Sequence, residues 1–389
     1  MSITRAKGFV ASGVHCGIKP EGALDLALVA TADGVPVPAA AVFTSNRAAA
    51  APVLVSREHL QATGGHAAAV VLNSGNANAA TGATGRAHVE QTCGVTAEGL
   101  GCAEQDVLVC STGLIGIPLP VEALVGGIPA LVEGRRGDPQ AATRAAEAIL
   151  TTDTTVKETM VGVGFFTIGG MAKGAAMLAP NLATMLAVLT TDAAATPEQL
   201  QVALREAVAG SFNTLSIDGS CSTNDTVIVL ASGKAGPVGD EPLLEMLSLA
   251  CQDLAEQMAD DAEGATKVAV VRVQGAASDG EARMAARRIA ESQLVQCSLY
   301  GADPYWGRIV SEVGASGAVF DLDRVSVAYG GVTVCREGIA TAHDDAAVRA
   351  HLAGRMVEVT VDLGGGEGTA AMLTTDLSPA YIDENMRTS

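Results

Sequence analysis

Basic residues are scarce in this 389-residue chain. Lys and Arg number 24 against 43 Asp and Glu, which gives a formal net charge of −19 at pH 7, and only 3% of the residues are aromatic. A protein of this charge repels phosphate backbones, and no cluster of basic residues with interleaved aromatic residues offsets the repulsion. The composition therefore argues against nucleic acid as a partner.

Patterns that bind metals or nucleotides are also missing. The eight cysteines include no Cys-x-x-Cys pair, and the six histidines show no ligand spacing, so the sequence predicts neither a zinc site nor a redox motif. Three glycine-rich stretches, residues 161–166, 169–170 and 364–366, do not match a phosphate-binding fingerprint. We predict that these glycines form turns and that the protein needs no metal or cofactor.

Long hydrophobic runs are absent. The N-terminus lacks the continuous apolar segment of a secretory signal. The longest apolar stretch, residues 175–189, is interrupted by Pro180 and Asn181 and is too short to span a bilayer. We therefore expect a cytoplasmic protein.

The composition and the hydrophobic pattern predict a compact α/β protein. Apolar residues make up 48% of the chain and charged residues only 17%, which is typical of globular domains. Short runs of apolar and β-branched residues predict strands at 24–30, 37–43, 67–72, 226–231 and 267–275. Helical periodicity and capping residues predict helices at 84–100, 121–133, 139–150, 196–210, 241–261 and 280–295. Without a strict strand-helix-strand repeat, this order favours a layered sandwich of mixed or antiparallel sheets with flanking helices.

One hydroxyl side chain, Thr184, lies inside the longest apolar stretch. Gly174 and the Pro180-Asn181 pair interrupt regular structure around it. A threonine hydroxyl becomes a good nucleophile when a base removes its proton. The α-amino group that is freed by cutting the preceding peptide bond is one such base, with a pKa of about 7.7–8.0. The pattern agrees with self-cleavage between Ala183 and Thr184, and the alternative interpretation is an ordinary core threonine.

Several separated blocks carry a resemblance to a known family. They are residues 17–20 (GIKP), 41–46 (AVFTSN), 71–78 (VLNSGNAN), 110–116 (CSTGLIG), 151–154 (TTDT), 169–174 (GGMAKG), 183–186 (ATML), 218–226 (DGSCSTNDT), 261–264 (DAEG), 303–308 (DPYWGR) and 384–385 (EN). In this order, and almost from end to end, the chain resembles the glutamate N-acetyltransferases, also called ornithine acetyltransferases. Each block alone is a weak signal, but together they are highly specific.

The resemblance implies an N-acyltransferase of arginine biosynthesis with a fold of the N-terminal-nucleophile kind. Self-cleavage would give an α fragment (residues 1–183) and a β fragment (184–389), the latter comprising a continuation of the core (184–275) and a C-terminal subdomain (276–389). Thr184 would then take the acetyl group of N2-acetylornithine, release ornithine and acetylate glutamate through an acetyl-threonine intermediate. Two pairs of α and β fragments are expected to assemble, and acetyl-CoA as a second donor stays open.

The resemblance also assigns roles to single positions. Thr112 and Gly113 match the oxyanion pair, and they follow an apolar run where backbone and hydroxyl donors can converge. The positions that match substrate contacts are Thr151, Lys173, Thr184, Glu263, Asn385 and Ser389. Lys173 is the expected partner of the substrate α-carboxylate, because an acidic protein needs a local cation there, and Glu263 is expected to face the ornithine amine. From the residues alone, an ordinary turn at 111–113 and a lysine extending to solvent from a helix end stay open.

Two positions depart from the family pattern. Tyr305 occupies a position where the family has asparagine, and the C-terminal tail is one residue short, so Thr388 is an alternative to Ser389 as a substrate contact. The polar run 219–225 predicts a structural turn near the site. Two other functions stay open: an N-terminal-threonine amidase or aminopeptidase, which would transfer the acyl group to water, and a non-catalytic α/β binding protein.

Overall fold

The computed structural model describes residues 3–20, 22–162, 164–177 and 185–386. Within these ranges the chain forms two compact units. Unit 1 contains the residues up to 213 together with 221–258, and unit 2 contains residues 214–220 together with the chain from 259 onward. The predicted α and β fragments are defined by backbone cleavage between Ala183 and Thr184 and not by how the chain packs into units. This division stays a prediction.

Strands and helices alternate irregularly along the chain. The strands are β1 (Phe9–Val14), β2 (Leu26–Thr31), β3 (Val37–Phe43), β4 (His66–Ala67), β5 (Ala69–Asn76), β6 (Val107–Leu114), β7 (Lys157–Gly162), β8 (Thr167–Lys173), β9 (Leu186–Ala194), β10 (Thr226–Pro237), β11 (Val268–Ala276), β12 (Ser326–Tyr329), β13 (Val332–Arg336), β14 (Ile339–Ala340), β15 (Met356–Asp362) and β16 (Gly368–Thr375). The helices are α1 (Ala51–Ala62), α2 (Gly82–Leu100), α3 (Val121–Glu133), α4 (Pro139–Ala148), α5 (Pro197–Ala209), α6 (Asp240–Asp260), α7 (Asp279–Ala290), α8 (Gln293–Tyr300), α9 (Trp306–Gly314), α10 (Asp345–Ala353) and α11 (Pro379–Asn385). No helix in the described part of the chain combines the length and the apolar character needed to cross a membrane.

Unit 1 contains two mixed sheets that share a core. The first has the strand order β1-β2-β5-β6, and the second has the order β4-β3-β10-β9-β8-β7. In each sheet one neighbouring pair is parallel, β5 with β6 and β9 with β10, and the other pairs are antiparallel. The shared core contains Val29 and Leu72 from the first sheet and Val188 and Ile228 from the second. Buried side chains therefore fill the space between the two sheets.

Helices pack on these sheets as well. Because successive side chains of a strand point to opposite faces, Val29 of β2 lies in the core between the sheets, whereas Leu28 lies in a separate core with α2 and α3. In the second sheet, α5 packs against β3, and Leu254 of α6 approaches Gly170 of β8. The predicted α/β sandwich of layered sheets with flanking helices is confirmed, and the sheets are of the mixed type.

Unit 2 is built on a third mixed sheet. Its strand order is β14-β13-β12-β15-β11-β16, with β11 and β15 parallel and the other pairs antiparallel. Alternate residues of β15, Val357, Val359 and Val361, are fully buried in one core. Ala282 and Ala285 of α7 belong to the same core, and these small side chains let the helix lie close to the sheet.

Two helix starts follow signals in the sequence. Thr196 and Gln199 form the capping box of α5: the Gln199 N–H donates to the Thr196 hydroxyl at 3.2 Å, and the Thr196 N–H donates to the Gln199 side-chain oxygen at 3.0 Å. The single helix predicted over residues 280–295 is wrong, because the structure has α7 and α8 there. Ser292 separates them, and its hydroxyl accepts the Val295 N–H at 3.4 Å to cap α8.

The glycines at 169–170 lie in a strand and not in the predicted turn. Gly170 is in the middle of β8, where an added Cβ atom would lie 2.6 Å from the Leu189 side chain and 2.9 Å from that of Thr159. The missing side chain therefore serves close packing around the strand. The turn prediction is correct at Gly364, which has a φ of +61° and follows β15.

Candidate functional site

The side chain of Lys173 contacts two other predicted site residues, Thr151 and Thr112. Lys173 ends β8, and its side chain is 3% exposed. Its Nζ donates hydrogen bonds to the Thr151 hydroxyl at 2.6 Å and to the Thr112 hydroxyl at 3.4 Å. The alternative interpretation of a lysine that extends to solvent from a helix end is wrong, because this ammonium group is buried at the end of a strand.

Asp153 balances the charge of this lysine. Its carboxylate is fully buried, 3.6 Å from the Lys173 Nζ and 2.8 Å from the Lys157 Nζ, and it accepts the Gly174 N–H at 2.7 Å. Burial favours the neutral carboxyl, but the charges of Lys173 and Lys157 prevail and hold the pKa of Asp153 well below its usual range. Sequence reasoning assigned no role to Asp153, and no sequence signal marked it, because residues 153–157 are not helical and the spacing to Lys157 does not by itself predict contact.

Thr112 and Gly113 lie within β6, which continues through both residues to Leu114. The register of β6 with β5 is irregular at Gly75, opposite Gly113. Gly113 has a φ of +130°, and an added Cβ atom would lie 2.3 Å from the carbonyl carbon of Gly75. The glycine is therefore required by the strand pairing itself, beyond any need to admit a substrate.

The surroundings of the Thr112 hydroxyl favour its role as a hydrogen-bond donor. It is 2% exposed, and its oxygen accepts from the Lys173 ammonium group. A hydroxyl that accepts from a cation keeps its own proton for a second acceptor, and the cation makes that proton a stronger donor. This geometry suits a group that must stabilise a negatively charged oxygen.

Lys19, from the GIKP block, lies close to Thr151. Its Nζ donates to the carbonyl of Leu150 at 2.6 Å and to that of Leu24 at 2.9 Å. Burial lowers the pKa of Lys19, and the charge of Lys173 acts in the same direction, while the carboxylate of Asp25 opposes both. A second ammonium group is therefore anchored next to the Thr151 segment, and the sequence analysis gave it no role.

The predicted residues of unit 2 form a separate pair. Glu263 is 9% exposed, and its Oε2 accepts from the Asn385 Nδ2 at 2.8 Å. Asn385 also donates to the Tyr381 carbonyl at 2.9 Å within α11. Gly264, with a φ of +63°, would place an added Cβ atom 2.2 Å from the Tyr381 nitrogen. The DAEG block and the EN block, which are far apart in the sequence, are thus in contact through Glu263 and Asn385.

Four predicted residues lie outside the described ranges: Ala183, Thr184, Thr388 and Ser389. The first described residue after Thr184 is Met185. Its N–H donates to the Asp225 carboxylate at 3.0 Å, and its carbonyl accepts the Thr226 N–H at 3.2 Å. Within the described ranges, no group of three or more His, Cys, Asp or Glu side chains is arranged to hold a metal ion.

Comparison with known proteins identifies the family. The model of the ArgJ family matches residues 10–388. The arginine biosynthesis bifunctional protein ArgJ of Thermobifida fusca is 48% identical over 386 residues, covering 99% of both chains, and that of Mycobacterium tuberculosis is 47% identical over 390 residues, covering 98% of this chain and 95% of its own. A crystal structure of ornithine acetyltransferase from M. tuberculosis complexed with ornithine is 43% identical, covers 46% of this chain and 94% of its own, and has a TM-score of 0.44. The family resemblance and the expectation of an acyltransferase enzyme are confirmed, and the chain belongs to the ArgJ family.

Proposed function

We propose that this chain transfers an acetyl group from N2-acetylornithine to glutamate after cutting itself between Ala183 and Thr184. The observation that carries the proposal is the buried Lys173 ammonium group, which is bonded to the hydroxyls of both Thr112 and Thr151. It joins the residues expected to stabilise an oxyanion with those expected to hold a substrate carboxylate. Acyl transfer requires both functions within a few ångströms of one reacting carbonyl.

The first stage is maturation. The Thr184 Oγ attacks the Ala183 carbonyl carbon, the Ala183-Thr184 amide bond breaks as an ester forms, and water then hydrolyses the ester. The products are an α fragment ending at Ala183 and a β fragment beginning at Thr184, whose new α-amino group is the base for the next stage. Association of two such pairs of fragments in the cytoplasm is part of the same proposal, supported by the family membership.

The second stage is a ping-pong cycle. The α-amino group takes the Thr184 Oγ proton while Oγ attacks the acetyl carbonyl of N2-acetylornithine. The Thr112 hydroxyl and the Gly113 N–H stabilise the oxyanion. Loss of one of these two donors would raise the activation free energy by about 2.7–4 kcal/mol. Ornithine leaves with the proton from the amine, and the amine of glutamate then takes the acetyl group from Thr184 by the reverse sequence.

Charge provides substrate recognition in this proposal. Both substrates carry an α-carboxylate, which Lys173 and Thr151 would bind, and the ornithine side chain carries an ammonium group, which Glu263 and Asn385 would bind. Ser389 is a further proposed contact, with Thr388 as its alternative. The bifunctional name of the relatives supports acetyl-CoA as a second acetyl donor; we propose no bound cofactor or metal.

Intact-mass analysis and acetyl-transfer assays test this proposal together. The wild-type protein should give two fragments that meet at residues 183 and 184, and acetylornithine should acetylate glutamate faster than it is hydrolysed. Thr184→Ala should remain a single chain without transfer activity. A wild-type preparation that is active but uncut would refute the mechanism, and hydrolysis exceeding transfer would favour an amidase.

A further inference from the structure

The Lys19 side chain comes from a turn that forms around one buried carboxylate. The backbone N–H groups of residues 16–19 all donate to the Asp25 carboxylate, at distances from 2.6 to 3.1 Å. Gly17 has a φ of +100°, which lets the chain curl around this carboxylate. Burial would raise the pKa of Asp25, but the converging N–H groups prevail and lower it. The turn therefore fixes the position of Lys19 through an ionised side chain.

The aliphatic part of Lys19 packs against the strand pair that carries Gly113. A Cβ atom added to Gly75 would lie 3.2 Å from the Lys19 Cγ, and Gly75 is paired with Gly113 in the register of β5 and β6. The Lys19 Nζ lies 2.6 Å from the carbonyl of Leu150, the residue before Thr151. Lys19 therefore contacts both the proposed oxyanion strands and the proposed carboxylate-binding segment.

Two ammonium groups converge on Thr151. Lys19 donates to the carbonyl of the preceding peptide bond, and Lys173 donates to the Thr151 hydroxyl at 2.6 Å. A carbonyl oxygen and the hydroxyl of the next residue lie about 5 Å apart or less, so the two Nζ atoms lie within about 10 Å of each other. This separation is close to the screening length of about 8 Å at physiological ionic strength. Both charges therefore act on a ligand bound beside Thr151.

The Lys19 ammonium group forms no ion pair within the described ranges. Its hydrogen-bond partners there are two neutral backbone carbonyls, which leaves one of its three donors for a ligand. Burial lowers the pKa of Lys19, while the more distant charges of Asp25 and Asp153 favour the ammonium form. Lys173, by contrast, lies 3.6 Å from the Asp153 carboxylate. Lys19 is thus available to bind an additional anionic group.

The two proposed substrates differ in the charge of their side chains. Acetylornithine carries one carboxylate and one ammonium group and has no net charge, whereas glutamate carries a second carboxylate. The glutamate amine must be neutral to attack the acetyl-threonine, so the reacting form of glutamate is a dianion. A protein with a formal net charge of −19 repels such a ligand unless cations lie close to it. The second carboxylate therefore calls for a cation beyond the one that binds the α-carboxylate.

We infer that Lys19 determines the specificity for glutamate as the acceptor: its ammonium group binds the side-chain carboxylate, while Lys173 and Thr151 bind the α-carboxylate common to both substrates. The inference rests on the proposed function and concerns its second half-reaction. The carboxylate carbons of glutamate lie up to about 5 Å apart, so the two carboxylates can bridge ammonium groups about 10 Å apart through hydrogen bonds of about 2.8 Å. Lys19 itself forms no covalent bond and transfers no proton.

A comparison of glutamate with glutamine as acceptor tests the inference, because glutamine has the same shape without the second charge. Lys19→Gln keeps hydrogen-bond donors for the two carbonyls and removes the charge. The ratio of kcat/KM for glutamate to that for glutamine should fall at least tenfold, or about 1.4 kcal/mol, mainly through a higher KM for glutamate. In a ping-pong cycle kcat/KM for acetylornithine reports on the first half-reaction alone, and it should stay within about threefold of the wild type. A purely structural effect on Thr151 would weaken both acceptors alike and leave the ratio unchanged.

Three other variants separate charge from structure. Lys19→Arg keeps the charge and should keep the preference for glutamate. Lys19→Met has a side chain of similar length to pack against Gly75, and it should lose the preference as Lys19→Gln does, so it serves if Lys19→Gln does not fold. Arg144→Gln is the matched control, because it removes a cation that also donates to a backbone carbonyl, that of Gly13 at 3.0 Å, and no contact with a substrate is proposed for it. Its ratio should equal that of the wild type.

The inference and the proposed function fail in different ways. A wild-type ratio in a folded Lys19→Gln or Lys19→Met protein would overturn the inference, and so would loss of the preference in Lys19→Arg, which would assign it to the shape of the turn. Equal kcat/KM for glutamate and glutamine in the wild type would overturn it without any variant. Absence of acetyl transfer from acetylornithine to glutamate in the wild type would instead refute the proposed function itself.

Discussion

Replacing Lys173 by methionine removes the ammonium group around which Thr112, Thr151 and Asp153 are arranged. Methionine is similar in length and apolar, so the substitution deletes the charge with little change in volume. The variant loses two hydrogen bonds to hydroxyls and one ion pair at 3.6 Å. Two separate consequences are expected, one for substrate binding and one for stability.

The structure sets the size of each consequence. Truncating one partner of a desolvated charge pair costs about 2–5 kcal/mol of binding. Since about 1.4 kcal/mol corresponds to a tenfold change, KM for acetylornithine should rise by about 25-fold or more. Breaking a buried ion pair costs about 3–5 kcal/mol of stability, and the lower end applies here because Lys157 still neutralises Asp153 at 2.8 Å.

Lys157→Met is the matched control. This substitution breaks the ion pair between Lys157 and the Asp153 carboxylate, in which both charged groups are fully buried. No contact with the substrate is proposed for Lys157. Urea unfolding should show a similar loss of stability in both variants, and steady-state kinetics should show the rise in KM only for Lys173→Met. A folded Lys173→Met protein with KM within about threefold of the wild type would refute the assignment of the substrate carboxylate to this lysine.

Two further predictions concern the same site. Gly113→Ala should destabilise the fold by more than about 3 kcal/mol, because the φ of Gly113 is +130° and the new Cβ atom would collide with the backbone of Gly75. The control Gly116→Ala, at a φ of +80° and with no atom within 4 Å of the new Cβ atom, should cost only about 1 kcal/mol. Equal losses of unfolding free energy in urea would contradict the strand-pairing explanation. The ion pairs of Asp153 lower its pKa, so their stabilising effect is complete above the unfolded-state value of about 3.9 and is lost as the pH falls toward the lower pKa of the folded state. The difference in unfolding free energy between the wild type and Asp153→Asn should therefore shrink below about pH 4, and a difference independent of pH would show that Asp153 does not act through its charge.

Local signals in the sequence predicted the helices and strands where capping residues or apolar runs were strong. The capping box at Thr196 placed α5 within a residue at each end, and the runs at 37–43 and 226–231 matched strands. The signals failed where tertiary packing overrides composition. Gly170 has low strand propensity, but close neighbours on two sides require a residue without a side chain in the middle of β8.

In the site as well, sequence patterns identified single residues but not the long-range contacts between them. The family pattern named Thr112, Thr151 and Lys173 separately, but their contact depends on β6 and β8 of different sheets packing together, with Thr112 and Lys173 separated by 61 residues. Asp153 was missed because its importance depends on two lysines that converge on it only in the folded chain. Asp225 lies in the polar run 219–225, and only its burial and its contact with Met185 distinguish it from a turn residue.

The second sheet of unit 1 bears on the fate of the two products of the proposed cleavage. The β9 strand, which starts at Leu186, pairs on one edge with β8 and on the other with β10, and β10 pairs in turn with β3. A break between residues 183 and 184 would assign β3 and β8 to one product and β9 and β10 to the other, interleaved within a single hydrogen-bonded array. Neither product could leave without rupturing two rows of backbone hydrogen bonds. Maturation would thus create a chain end while the sheet holds both pieces together as one body.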